Sequence, residues 1–463
     1  MSYITENFML QGENAKKLYA YAKDMPIFDY HCHLSEYELL ENKPFENITQ
    51  IWLYGDHYKW RMMRFYGISE RLITGDATDR EKFDAYLLAL STAYGNPLQH
   101  WSQMELEKYF NCTLELCPEN ADAIWEQANA TIKAKNMRPS DCVECSGVKY
   151  LYTTNEVFDD LAVFSKLKEK YTAFTVAPAF RADKLMAINN PLYNSFIDKL
   201  EALTNKISGF DDLLAAVEKR LTEFKKAGCR AADIAVEDVY PVPTKNEAAK
   251  VFDCVRSGGA VSASEANVFA AYMVYFLMGL YARNDIVTEL HIGPMRNNNS
   301  VMLGKIGVDA GFDTIGRMSD IRVIAALFNK LNSENALPKT VVFNLNPNMN
   351  AELIALSGCF QDDSAKSKIN YGAAWWFLDN KPGMEKHLTD LCALGHIGAF
   401  IGMLTDSRSF VSYPRHDYFR RILCSFLGKM MDDGLMTSNV SAVGKVVRDI
   451  CFNNAVHYFG LDK

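Results

Sequence analysis

The sequence lacks three features that would indicate particular partners or compartments. It has no basic excess, because its net charge is −8, and without a basic face to neutralise phosphates we expect no nucleic-acid partner. Its first residues contain no basic segment followed by an apolar one, so we expect no secretion signal. Its longest apolar stretch, residues 268–282, is too short to cross a membrane and predicts a buried helix.

A disulfide framework is also missing. The eleven cysteines are an odd number spread without regular spacing, which is typical of free thiols in a reducing compartment, so we expect a cytoplasmic protein. Cys142 and Cys145 have no matching second pair and are interpreted as two buried thiols. With 49% hydrophobic and 23% charged residues and no low-complexity tract, the composition predicts one large globular domain over residues 1–463.

Strand and helix patterns alternate along the chain. Helix-spaced apolar positions occupy the intervals, as in residues 209–226, 264–282, 315–331 and 383–394. This alternation predicts an α/β fold, a (β/α)₈ TIM-type barrel. The eight β-branched or aromatic runs that predict its strands are residues 26–33, 148–154, 174–180, 231–236, 286–293, 340–346, 369–377 and 397–406.

The chain is longer than such a barrel requires. A barrel needs about 250 residues, and most of the surplus lies after the first predicted strand, at residues 35–137. We interpret that range as a helical insertion subdomain over the barrel mouth. Its residues 55–64 are dense in groups able to act as acids, bases or anion ligands, with His57 and Tyr58 among them. The alternative is an amphipathic helix with a solvated basic face.

Two histidines two residues apart end the first predicted strand. Side chains two apart share a strand face, so His31 and His33 can converge on one metal ion. Asp406, at the end of the eighth predicted strand, could add an oxygen ligand and leave positions open for substrate or water, or act as an acid or base. The alternatives are two hydrogen-bonded structural histidines and an aspartate that caps the following turn. We favour the functional reading because active groups of a barrel collect where its strands end.

Other predicted strands also end in side chains of catalytic type, and arginines are frequent among them. An arginine fork suits a carboxylate, so several arginines in an acidic protein predict a small anionic substrate. Arg408 is the strongest candidate of this set, whereas Arg420 and Arg421 are interpreted as charges on a helix surface. His291 could be a ligand, a substrate contact or a buried structural histidine. The remaining candidates are Arg181, Arg296, Trp375 and Arg415.

Together these motifs resemble the uronate isomerase (glucuronate isomerase) family, a branch of the metal-dependent amidohydrolase superfamily. The resemblance covers nearly the whole chain. The blocks that carry it are residues 29–34 (DYHCHL), 56–61 (DHYKWR), 290–293 (LHIG), 296–299 (RNNN), 345–347 (LNP), 375–377 (WWF) and 402–410 (GMLTDSRSF), continuing to 413–416 (YPRH).

The resemblance implies aldose–ketose interconversion of hexuronates through an enediol, D-glucuronate with D-fructuronate and D-galacturonate with D-tagaturonate. It implies a divalent metal, with zinc expected, at His31, His33 and Asp406. A homo-oligomer is expected separately, because soluble enzymes often assemble symmetrically. The catalytic residues it implies are Asp406, Tyr58, His57 and Arg408, and the substrate-binding residues are Arg181, His291, Arg296, Trp375 and Arg415.

Two positions depart from the family pattern. Ile234 stands where a histidine is expected, so no role is assigned to the neighbouring Asp233, and Glu289 replaces a usual glutamine. One alternative function is a superfamily hydrolase, which would require a bridging lysine and further histidine ligands that the sequence does not show. The other is a non-catalytic sugar-acid binding protein, which the intact His, Tyr, Asp and Arg set disfavours.

Overall fold

A curled parallel sheet forms the centre of the protein, for which a computed structural model describes residues 2–462. Seven strands build the sheet in the order β1-β2-β3-β4-β5-β8-β9, and β6 and β7 form a separate antiparallel pair. The strands are β1 (Ile27–Cys32), β2 (Val148–Glu156), β3 (Thr175–Arg181), β4 (Ala231–Val236), β5 (Val287–Ile292), β6 (Pro294–Met295), β7 (Thr314–Ile315), β8 (Thr340–Asn344) and β9 (Ile369–Tyr371).

Helices follow the strands of the sheet, as the α/β prediction requires. They are α1 (Glu13–Ala22), α2 (Glu36–Glu41), α3 (Ile48–Leu53), α4 (His57–Phe65), α5 (Asp79–Leu90), α6 (Pro97–Phe110), α7 (Ala121–Lys135), α8 (Pro139–Cys145), α9 (Ala162–Lys170), α10 (Asp183–Met186), α11 (Tyr193–Leu203), α12 (Phe210–Lys226), α13 (Lys245–Arg256), α14 (Ala263–Arg283), α15 (Ser300–Ile306), α16 (Ile321–Ser333), α17 (Asn350–Gly358), α18 (Lys381–Leu394), α19 (Pro414–Asp432), α20 (Val440–Arg448) and α21 (Asn454–Tyr458).

The strands are apolar because both faces of the sheet are covered. Every residue of β1, β5 and β8 is buried, which is typical of parallel strands that have helices on one side and a packed interior on the other. All pairings in the sheet are parallel, so the carboxyl ends of the strands lie at one edge. The predicted α/β fold class is confirmed.

The prediction of an eighth hydrogen-bonded strand is wrong. Within residues 2–462, the range 397–406 contains only a short 3₁₀ turn, Ile397–Ala399, followed by irregular chain. This chain nevertheless lies beside β1, because the Asp406 amide donates to the His31 carbonyl (3.1 Å) and the His33 amide to the Ser407 carbonyl (2.9 Å). A left-handed glycine, Gly402 (φ +80°), interrupts the extended geometry that a ladder needs.

Smaller corrections concern helix starts and surface assignments. The helix predicted at 315–331 begins at Ile321, because Asp320 caps it with its side chain. Cys142 is buried, but Cys145 is exposed. Arg420 and Arg421 are buried rather than exposed, because their guanidinium groups donate to main-chain carbonyls of the segment before β1.

Six helices, α2 to α7, lie in the range predicted to be a helical insertion. The division of the chain into a barrel and a subdomain at residues 35–137 stays a prediction. Asp56 ends the loop before α4, and its carboxylate accepts from the amides of Tyr58 (3.1 Å) and Lys59 (3.2 Å). This cap sets the direction in which α4 enters and therefore where His57 and Tyr58 lie.

One helix, α14, is long and apolar enough by length and composition to cross a membrane. Core helices of soluble proteins meet the same criterion, and Leu277, Met278 and Leu280 of α14 are fully buried in the fold.

Gly402 provides a test of the irregular segment that replaces the eighth strand. A methyl group added there would meet the Ile450 carbonyl oxygen at a position whose φ is already left-handed. We expect Gly402→Ala to lower the free energy of unfolding by roughly 2 kcal/mol or more, measured by urea denaturation. Gly304→Ala on α15, where the added methyl meets nothing within 4 Å, is the control and should be neutral or slightly stabilising. Equal stabilities of the two variants would contradict this packing.

Candidate active site at the carboxyl ends of the strands

A cleft opens where the strands of the sheet end. Its lining is mostly ionisable or aromatic, which suits a small polar ligand. The lining residues are His31, His33, His57, Tyr58, Arg181, Asp233, Ala235, His291, Arg296, Asp309, Trp375, Trp376, Asp406 and Arg408.

Asp406 lies at the centre of the cleft, and four other side chains converge on its carboxylate. Its Oδ1 is 3.5 Å from His31 Nε2 and 3.2 Å from His33 Nε2. Its Oδ2 accepts hydrogen bonds from the Tyr58 hydroxyl (2.8 Å) and from Trp375 Nε1 (3.0 Å). Burial opposes the charge on Asp406, but the bonds with the two imidazoles outweigh burial and hold its pKa well below the usual range. The carboxylate is therefore ionised at neutral pH.

The two imidazoles are oriented through their other nitrogen atoms. His31 Nδ1 is 2.9 Å from Glu289 Oε2 of β5, and His33 Nδ1 is 2.6 Å from the Thr154 hydroxyl of β2. Burial disfavours the charged form of both rings. For His31 the carboxylates of Asp406 and Glu289 outweigh burial and raise its pKa, whereas for His33 burial dominates and lowers the pKa to about 3.

The donor set of His31, His33 and Asp406 fits a divalent metal ion. Two ligand atoms that each lie about 2.1 Å from a tetrahedral ion are about 3.4 Å apart, and both Nε2 atoms lie 3.2–3.5 Å from the same carboxylate oxygen. The three ligand atoms lie within 4.8 Å of one another. Glu289 adds the carboxylate partner that metal-bound imidazoles commonly have.

A second group of ionisable side chains lies on β3, β4 and β5. His291 Nδ1 is 2.8 Å from Asp233 Oδ1, and Arg181 Nε is 3.6 Å from Asp233 Oδ2. Burial raises the pKa of Asp233, but His291 and Arg181 more than reverse the effect, so its pKa is lowered. His31 joins Asp233 and His291 in a group whose ligand atoms also lie within 4.8 Å. Asp233 and Glu289, which received no role from the sequence, are therefore part of the site.

Two of the arginines that line the cleft, Arg408 and Arg296, lie beside one carboxylate. Arg408 Nη2 lies 3.2 Å and Arg296 Nη1 4.0 Å from the two oxygens of Asp309, whose side chain is 51% exposed. Arg296 also pairs with Asp313 (3.1 Å) and lies over the Trp376 ring at 5.0 Å. Asp309 is the half-exposed partner of the two guanidinium groups, and Arg296 has Asp313 as a second partner, so these arginines could bind an anion that takes the place of Asp309.

Helix α4 supplies the remaining acid–base candidates. The rings of His57 and Tyr58 lie 4.7 Å apart between centroids and are tilted by 30° to one another. Burial, with the nearby charge of Arg408, lowers the pKa of His57 to about 4, so the ring is neutral at pH 7. Burial and the Asp406 charge raise the pKa of Tyr58 well above its usual value. Tyr58 therefore stays protonated, and its hydroxyl donates a hydrogen bond to Asp406.

Arg415 is the one predicted substrate contact that does not line the cleft. It is 2% exposed, and its Nη1 donates to the Thr405 carbonyl at 2.9 Å behind the cleft wall. The structure brings the other predicted residues together, but their individual roles stay predictions. Asp233 and Glu289 were missed from the sequence, although each is the single acid in an otherwise uncharged buried strand, β4 or β5. That pattern was a usable signal, because a buried charge needs a partner.

Comparisons with known proteins agree with this arrangement. A family model described as glucuronate isomerase matches residues 1–459. The chain belongs to the glucuronate isomerase family. The uronate isomerase of Caldanaerobacter subterraneus subsp. tengcongensis is 45% identical over 463 residues, with 99% of this chain and 99% of that one covered. The uronate isomerase of Bacillus subtilis is 42% identical over 461 residues, with 99% of this chain and 98% of that one covered.

Solved structures give the same family. The crystal structure of uronate isomerase from Thermotoga maritima matches with a TM-score of 0.93 at 28% identity, covering 99% of this chain and 100% of that one. The predicted membership of the glucuronate isomerase family and the predicted isomerase class are confirmed. Membership does not favour the hydrolase or the non-catalytic binding protein.

The proposed ligand set can be tested by metal binding. His33→Ala removes one of three ligand atoms, and we expect it to weaken Zn²⁺ binding by more than about 10²-fold. Metal retained after equilibrium dialysis against Zn²⁺ is the measurement. His396→Ala, which removes an exposed histidine, should retain as much zinc as the unaltered protein. A full equivalent of tightly bound zinc in His33→Ala would exclude this histidine as a ligand.

Proposed function

We propose that this member of the glucuronate isomerase family interconverts D-glucuronate with D-fructuronate and D-galacturonate with D-tagaturonate. The observation that carries the proposal is the arrangement of the cleft. The cleft contains an ionised carboxylate bonded to a tyrosine and beside two imidazoles, and it also contains a pair of arginines. An open-chain hexuronate has a carbonyl at one end and a carboxylate at the other, so its two ends match these two groups of side chains.

Asp406 and Tyr58 are suited to the proton transfers of an enediol route. An aldose becomes a ketose when a base removes the C2 proton, a proton is returned to C1, and O1 and O2 exchange a proton. Asp406 is ionised and can accept the C2 proton. Tyr58 is protonated and hydrogen-bonded to Asp406, so it can pass a proton between the carboxylate and the sugar oxygens. His57 is neutral and beside Tyr58, where it can hydrogen-bond a hydroxyl group.

The pair of arginines provides a place for the substrate carboxylate. Arg408 and Arg296 present planar forks that bind a carboxylate with two parallel hydrogen bonds each. Asp309, which now lies between them, is half exposed and belongs to the chain between β6 and β7. We propose that the substrate carboxylate takes the place of the Asp309 carboxylate. Arg181 is already balanced by Asp183 and Asp233 and is assigned to sugar hydroxyl groups.

His31, His33 and Asp406 would hold a divalent cation, for which zinc is our proposal because imidazole and carboxylate ligands suit it. When bound, such an ion polarises the substrate oxygens and stabilises negative charge on the enediolate. The free cysteines and the absence of a basic excess support the further proposals of a cytoplasmic enzyme without nucleic-acid or membrane partners. A homo-oligomer is proposed on the general tendency of soluble enzymes.

Isomerisation by proton transfer can be tested directly. The purified protein is incubated with D-glucuronate in deuterated water and followed by NMR, before and after treatment with a chelator. We expect fructuronate that carries deuterium at C1, because the transferred proton can exchange with solvent on the carboxyl group. Loss of rate on chelation, with recovery on adding Zn²⁺, is expected for a functional metal. Failure to convert either glucuronate or galacturonate with added divalent cations would refute the proposed function.

Arg408 provides the corresponding test of anion binding. Arg408→Met keeps much of the side-chain volume but removes the guanidinium group, and we expect kcat/KM for glucuronate to fall roughly 10²-fold or more. Arg322→Met, which alters an arginine that is 87% exposed, is the matched control and should keep full activity. Activity close to that of the unaltered enzyme in Arg408→Met would remove Arg408 from the mechanism.

A further inference from the structure

Arg415 lies directly behind the active-site wall without reaching the cleft. It is the second residue of α19 and 2% exposed. Its guanidinium carbon lies 4.0 Å from the centroid of the Trp101 ring and 5.6 Å from that of the Tyr58 ring. Its Nη1 donates to the Thr405 carbonyl (2.9 Å) and lies 3.8 Å from Asp379 Oδ2. All of these partners lie outside α19, so the burial of the Arg415 charge must be explained by its contacts with other segments.

Three of the four named partners of Arg415 belong to different parts of the active site, and the fourth, Trp101, is on α6. Thr405 immediately precedes Asp406 in the irregular segment. Tyr58 is on α4. Asp379 ends the turn that follows Trp375, and its amide donates to the Trp376 carbonyl at 3.0 Å. These three chain segments are separated in sequence, and Arg415 contacts all of them behind the cleft.

The same three segments also meet in front, on one oxygen atom. Asp406 Oδ2 accepts from the Tyr58 hydroxyl and from Trp375 Nε1. A single guanidinium group therefore contacts, from behind, the three segments whose side chains hydrogen-bond to one another in the cleft. A planar fork with five donors can hold several partners at fixed angles, which a lysine cannot do.

We infer that Arg415 is a positioning residue for proton transfer, which fixes Asp406, Tyr58 and Trp375 relative to one another and does not touch the substrate. The inference rests on the proposed function, in which Asp406 and Tyr58 move the protons. A misplacement of about 1 Å in such a group can lower a rate roughly 10²-fold. Loss of Arg415 should therefore lower kcat and leave KM nearly unchanged.

The chain offers a matched control on the same helix. Arg420 is 5% exposed and donates to the carbonyls of Pro26 (2.8 Å) and Lys23 (3.4 Å), which precede β1 on the side away from the cleft. Arg420→Met thus removes a buried arginine of α19 whose main-chain partners all lie before β1. It should lower thermal stability without lowering kcat.

The test compares Arg415→Met, Arg415→Lys, Arg420→Met and Tyr58→Phe, and combines each of the two methionine variants with Tyr58→Phe. All are assayed with saturating Zn²⁺, so that a change in metal occupancy does not contribute. We expect Arg415→Met to lose roughly 10²-fold in kcat, with KM within about threefold. Arg415→Lys should recover thermal stability but only part of kcat. If Arg415→Met does not fold, Arg415→Lys is judged by the same criteria.

Coupling with Tyr58 separates positioning from a purely structural role. If Arg415 acts through Tyr58, the fold-loss of kcat in the variant that combines Arg415→Met with Tyr58→Phe is smaller than the product of the two single fold-losses. The reason is that Tyr58→Phe has already removed the hydroxyl that Arg415 positions. The losses of Arg420→Met and Tyr58→Phe should multiply. The inference is overturned if Arg415→Met keeps kcat within about threefold, if it raises KM alone, or if its loss multiplies with that of Tyr58→Phe.

The unaltered enzyme distinguishes the two hypotheses. Absence of uronate isomerisation in the unaltered enzyme would reject the proposed function, and the inference on Arg415 would fall with it. Normal isomerisation by the unaltered enzyme together with normal kcat in the Arg415 variants would reject the positioning role alone.

Discussion

The hydrogen bonds of the buried Asp29 carboxylate hold the active site together. Asp29 lies in β1 and accepts from the Thr405 amide (2.7 Å) and hydroxyl (2.5 Å). The segment that takes the place of an eighth strand has no regular ladder, so these bonds fix its position relative to β1 together with the main-chain bonds that the Asp406 and His33 amides donate. Because Asp29 is two residues before His31 and Thr405 is next to Asp406, the same bonds determine how far the carboxylate lies from the imidazoles. Burial raises the pKa of Asp29 to about 7, although the bonds from Thr405 lower it.

Local patterns were enough to predict the features that depend on local geometry. The apolar run of β4 was predicted to its exact bounds, because Gly228 before it and the acidic residues after it interrupt the pattern. The convergence of His31 and His33 followed from the two-residue period of a strand. Their approach to Asp406 followed from the rule that strand ends of a barrel share one mouth.

Features that depend on distant parts of the chain could not be predicted in this way. The burial of Arg420 depends on the segment before β1, nearly four hundred residues away, and no helical period on α19 shows that contact. The orientation of Arg415 away from the cleft depends on the distant Trp101 in the same manner. Asp233 contacts side chains of its two neighbouring strands, and Glu289 contacts His31 of β1. These partners become known only once the order and the curl of the sheet are known.

The position of Asp309 has a consequence for the selectivity of the enzyme. If the substrate carboxylate takes the place of Asp309, a carboxylate of the protein itself, held by Arg408 and Arg296, competes with any acid that enters the cleft. The measured affinity for an acid would then be the intrinsic affinity multiplied by the fraction of molecules whose arginines are free of Asp309. A neutral sugar would not displace Asp309, so the enzyme would discriminate against neutral aldoses before the chemical step, and the return of Asp309 to the arginines would assist the departure of the acidic product.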